Sequence, residues 1–141
     1  MLTAIVHLCI AILLFGGGFH FYWGFGGRVG YEASIPRRSN GERLFEPPWW
    51  GGHLVGVMML VACWLVLAVA HLLPSPFPTA WMQIAVALMG AGFVLRALWA
   101  TPYAGLLKSH HHSRFAYYDT RLYAPLFLML GLGLLVVALQ A

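Results

Sequence analysis

Gly92-Phe93-Val94-Leu95-Arg96-Ala97-Leu98-Trp99 is an apolar run interrupted by one charge. A guanidinium stays charged at any biological pH and is costly to remove from water, so Arg96 needs a headgroup, a wet pocket or an acidic partner. The run belongs to a longer apolar segment, Ala80–Thr101. At 1.5 Å per residue, Arg96 sits roughly 9 Å inside one end of such a helix.

Three similar segments flank it: Leu2–Phe25, Gly51–Leu73 and Leu122–Gln140. Each is near the ~20 residues that cross a ~30 Å hydrocarbon core. Within lipid every backbone amide must be bonded inside its own segment, and the runs lack the alternation of a barrel strand, so they read as helices. The fold expected is all-α, a four-transmembrane-helix antiparallel bundle forming a single membrane domain over residues 1–141. The composition agrees: 61% of residues are hydrophobic and 9% charged, with a mean hydropathy of +0.78. Met1-Leu2-Thr3 has no basic region and no small-residue cleavage site follows, so the first segment reads as a retained helix rather than a signal peptide.

The loops fix an expected orientation. Four of the eight basic residues (Arg28, Arg37, Arg38, Arg43) lie in the first loop and three (Lys108, Arg114, Arg121) in the third. Arg96 is close to the third, while the Pro74–Thr79 turn carries no charge. The excess of Lys and Arg places loops one and three in the cytoplasm and the termini on the extracytoplasmic side. Small residues mark faces for helix contact: Gly16-Gly17-Gly18, Gly52-x-x-x-Gly56, Ala87-x-x-x-Ala91 with Gly90 and Gly92, and Gly131 with Gly133.

Positions 85, 89, 92, 96, 99 and 103 share a helical face, and its small residues favour an inward Arg96 over one that reaches outward to the surface. His20 and Trp23 lie at similar depth on the first segment. Asp119 is the last acid in the chain and shares a face with Tyr123. The sharp reading is a cytoplasm-facing polar cluster of His20, Trp23, Arg96, Tyr103, Asp119 and Tyr123 that takes a ligand. The plainer reading, ranked ahead of it, is an Arg96–Asp119 ion pair pinning two helices, with Asp119 or Thr120 capping the last one.

Metal and cofactor chemistry rank last. Cys9 and Cys63 sit in apolar runs and read as packing residues. His53 and His71 fall at opposite membrane borders. His20 with His53, or His7 with His71, match in depth, but such matches arise readily among seven histidines. His110-His111-His112 reads as a solvated loop. No cofactor and no metal site is implied.

Further motifs carry a resemblance. These are His20-Phe21-Tyr22-Trp23, Gly26-Gly27, Gly30, Pro36 and Gly41-x-x-Leu44-Phe45-x-Pro47 in the first half. In the second half they are Val94-Leu95-Arg96-Ala97, Tyr103-x-Gly105-x-x-Lys108 and Arg114-Phe115-Ala116-x-x-Asp119-Thr120-Arg121-Leu122-Tyr123-x-Pro125-Leu126. Over nearly its whole length the chain resembles a family of small bacterial four-helix membrane proteins known only as a domain of unknown function. It departs from that pattern at Ala124, where a serine is expected, and at the triple histidine, which replaces a more basic stretch. The resemblance implies a multi-pass protein of a bacterial inner (plasma) membrane and brings no activity with it.

Three roles remain open at this level. The first is binding of a small amphiphile, lipid headgroup or quinone in a cytoplasm-facing pocket. The second is a structural accessory subunit of a larger membrane complex. A small enzyme using His20 and Asp119 for proton transfer ranks last, since no nucleophile, metal motif or acid pair accompanies them. The partners implied are the lipid bilayer and a second copy or a larger complex, with no nucleic acid.

Overall fold

In a computed structural model, which describes residues 1–140, the chain is all-helical. Four helices are long and apolar enough to cross a membrane. The elements in chain order are α1 (Leu2–Gly24), α2 (Tyr31–Ser34), α3 (Gly51–Val69), α4 (Thr79–Leu98), α5 (Arg114–Tyr118), a π-helical turn (Asp119–Tyr123) and α6 (Ala124–Gln140).

The long helices run up and down. α1 packs against α3, α4 against α6, and α1 also against α6. Each main pair closes where side chains are smallest. A Cβ on Gly52 would fall 2.6 Å from the His20 carbonyl oxygen, and one on Gly90 would fall 2.9 Å from that of Gly131. Backbones approach this closely only without side chains between them, which supplies packing where hydrophobicity gives no net drive. Of the other small residues expected at contacts, Gly18 and Gly92 face open space and Ala91 is exposed. Val6, Cys9 and Leu13 of α1 meet Val66 and Val69 of α3, Val86 of α4, and Leu134 and Val137 of α6 in the core.

Helix ends depart from the sequence reading in three places. α3 stops at Val69 rather than Leu73, because His71 takes the left-handed conformation at φ 57°. His71 N–H then donates to the Ala68 carbonyl (3.1 Å) and Leu72 N–H to that of Leu67 (2.8 Å). α1 ends through the same pair of bonds, Gly26 N–H to Trp23 and Gly27 N–H to Tyr22, with Gly26 at φ 91°. α4 stops at Leu98, with Trp99 extended.

The last helix starts at Arg114 rather than Leu122. Ser113 caps it by accepting from Ala116 N–H at 3.0 Å, and the apolar stretch extends unbroken to Gln140. Charges hid this start, as did Pro125, which has no N–H to return to the Arg121 carbonyl. The helix absorbs the defect by widening one turn: Ala124 N–H reaches back to Asp119.

The first loop folds over the end of the bundle where α1 finishes. Ile35 and Pro36 are buried, α2 packs on α5, and the Tyr123 hydroxyl donates to the Ala33 carbonyl at 3.3 Å. With the up-and-down topology, this brings every Lys, Arg, Asp and Glu side chain to one end of the molecule.

Candidate functional site

The turn from α4 into the next loop builds the site. After Trp99 the chain doubles back, and Leu106 N–H and Leu107 N–H donate to the Ala97 and Leu98 carbonyls at 2.7 and 2.8 Å. The helix end is thus satisfied by its own loop. Gly105 makes the return possible. Its φ is +104°, and a Cβ there would stand 2.6 Å from the Leu98 carbonyl oxygen.

That return points the Gly105 N–H at Asp119, whose carboxylate is wholly buried. Oδ2 accepts from Gly105 N–H at 2.7 Å and from Lys108 Nζ at 3.2 Å, while Oδ1 accepts from Arg96 Nη2 at 2.9 Å. Lys108 is itself buried and saturated. It donates also to the Gly105 carbonyl (3.0 Å) and to Thr120 Oγ1 (2.6 Å), and the Thr120 hydroxyl donates on to Ala116 O. A buried carboxylate is tolerable only when paired and hydrogen-bonded, and here three donors occupy both of its oxygens.

Arg96 differs from the other two. Its side chain is 27% exposed and lies along the α4–α6 seam, its guanidinium 4.9 Å from the Phe127 ring centre and 6.0 Å from that of Phe115. Nη1 is buried without a hydrogen-bond partner, so the ring faces are its compensation. Gly92, one turn below, faces open space, so the arginine occupies a helix seam rather than the bundle centre.

Of the other residues of the expected cluster, Tyr123 comes nearest, its ring 6.0 Å from that of Phe115 beside Arg96. His20 and Trp23 stay with α1, their rings 5.2 Å apart. Trp23 Nε1–H closes the first loop by donating to the Val29 carbonyl at 2.8 Å. Tyr103 lies tilted against His110, ring centres 4.4 Å apart, and Tyr123 ties α2 to the π-helical turn. No hydrogen bond or ring contact among the described residues joins these four to Asp119. Lys108, absent from the expected cluster, is its most enclosed cation. Its one signal in the sequence is the spacing Gly105-x-x-Lys108.

A second ionic group lies on the first loop and is exposed. Arg43 bridges Glu32 and Glu46, and Arg37 holds Glu32 at 2.7 Å. Hydrogen bonds from Arg43, then Arg37, hold the Glu32 carboxyl below the usual carboxylate range. Its partners likewise push Arg43 upward, Glu46 first. The histidine run forms no metal-binding group with other ligands among the described residues.

Comparison with known proteins returns no match among curated proteins and none among solved structures. A family described as "protein of unknown function (DUF3995)" matches residues 12–134 and so takes in α3, α4, the Asp119 cluster and most of α1 and α6. With four apolar helices and this match over most of its length, the chain belongs to the DUF3995 family of unknown function.

Proposed function

We propose that this chain is a four-pass protein of the bacterial inner membrane, with its charged end in the cytoplasm, acting as a non-catalytic accessory that presents a rigid cap to a larger membrane complex. One observation carries the reading: both oxygens of the buried Asp119 are occupied by Arg96, Lys108 and Gly105. General acid–base work needs a group within reach of a substrate proton, and a saturated, enclosed carboxylate has no such reach. His20, its suggested partner in proton transfer, rests against Trp23. The cluster instead welds the third loop to the helix ends, and the first loop folds over them.

Two measurements test this. In intact cells, an impermeant maleimide should label Ser75→Cys and spare Ser39→Cys; the reverse pattern overturns the orientation. In mild detergent, a partner should co-purify at fixed stoichiometry and be lost on replacing the exposed Arg38 and Phe45 with serine. A chain that purifies alone and cross-links to nothing in the membrane overturns the accessory role.

A second reading rests on the charge balance. Arg96 and Lys108 against Asp119 leave one positive charge over, and Arg96 is part-exposed along the seam. That favours an anionic amphiphile headgroup beside Arg96. Native mass spectrometry should then find phosphatidylglycerol retained by the wild type and released by Arg96→Gln.

A further inference from the structure

The opposite end of the bundle carries two adjoining hollows at the turn between α3 and α4. One, of about 340 Å³, is lined by His71, Ser75, Phe77, Thr79 and Met82 among others. The other, of about 490 Å³, is almost wholly apolar and runs along Trp64, Phe77, Trp81, Met82 and Ala85. Phe77 and Met82 belong to both, so the polar hollow continues into the apolar one. Together they form an open groove with an aromatic wall and a few polar groups at its rim.

Aromatic residues gather at membrane borders without any ligand. His71 sets this corner apart. It occupies the left-handed position that ends α3, where α1 uses Gly26 for the same pair of bonds. Glycine takes this conformation without strain and a β-carbon does not, so the helix end alone gives no reason for an imidazole. Its ring makes no hydrogen bond within the protein among the described residues. Ser75 Oγ accepts from Phe77 N–H at 3.1 Å, which leaves its own proton to donate. No Lys, Arg, Asp or Glu occurs between residues 51 and 95, so nothing here answers a charged headgroup.

We propose that this corner binds a neutral, ring-headed amphiphile of the prenylated-quinone class. The His71 imidazole and Ser75 hydroxyl donate to its carbonyl oxygens, and Trp64, Phe77 and Trp81 receive its ring and the start of its tail. Neutral oxygens match the uncharged rim, and a flat ring matches the aromatic corner, where Trp64 and Phe77 meet edge to face at 6.2 Å. The site lies at the other end of the helices from the cytoplasmic cap and does not depend on the reading given for it.

The experiment titrates a short-chain prenylated benzoquinone into the full-length chain in detergent micelles, followed by calorimetry and tryptophan quenching. Saturable binding is expected, weakened about tenfold in His71→Gly by the loss of one donor. His71→Gly suits the backbone, so its thermal midpoint should hold or rise and a folding defect cannot mimic the loss. Trp81→Leu should weaken binding without moving the midpoint. Non-saturating partition overturns the proposal, as does equal affinity in His71→Gly. Equal competition by phosphatidylglycerol overturns the assignment of a neutral head.

Discussion

The two ends of the bundle solve the same problem differently. At the charged end, α1 ends through Gly26, and the loop after α4 returns through Gly105, both conformations that glycine holds freely. Asp119 and Lys108 there are buried and bonded to each other. At the uncharged end α3 leaves through His71, a strained choice beside an open hollow. The charged end is built for stability, and the uncharged end gives up a little stability for a side chain.

The largest effect should come from breaking the charged end. Asp119→Asn leaves Lys108 buried without a countercharge and should cost about 3–5 kcal/mol in detergent unfolding. Pairing Asp119→Leu with Lys108→Met should recover only part of it, since the buried ammonium is gone but Arg96 and the Gly105 N–H still lose their acceptor. Gly105→Ala should come next, at about 2 kcal/mol from strain at its left-handed backbone and the contact with Leu98, read as a fall in thermal midpoint.

A change of opposite sign sharpens the contrast: His71→Gly should stabilise the chain by about 1 kcal/mol in the same assay. The smallest effect lies in the exposed loop. Because Glu32 titrates below its ordinary range when folded, its ion pairs contribute above the ordinary carboxylate pKa. That contribution is lost as pH falls through the depressed value. Protection of the amides in residues 31–46, corrected for the slower intrinsic exchange at low pH, should fall on acidification in the wild type, and less so in Glu32→Gln.

Four helices were legible in the sequence because length and hydropathy alone decide them. The Arg96–Asp119 contact was legible too, since few acids were available to one buried arginine. Lys108 was not, because its place depends on a loop that doubles back through Gly105, and no linear period records a reversal. For a related reason, depth along a helix gave His20 and Arg96 the same height but not the same neighbours. α1 packs on α3 and α6, which leaves its histidine with Trp23.

The widened turn at Asp119–Tyr123 has a consequence for how this helix tolerates change. One additional residue in a turn rotates everything downstream by about 100° relative to an unbroken α-helix. Asp119 faces the loop cluster, while Leu130, Leu134 and Val137 face the bundle core. The turn therefore acts as a phase adjuster between two surfaces with separate requirements. Removing a single residue from it would leave Pro125 without the wide turn that accommodates it and set one of the two faces against the wrong neighbours.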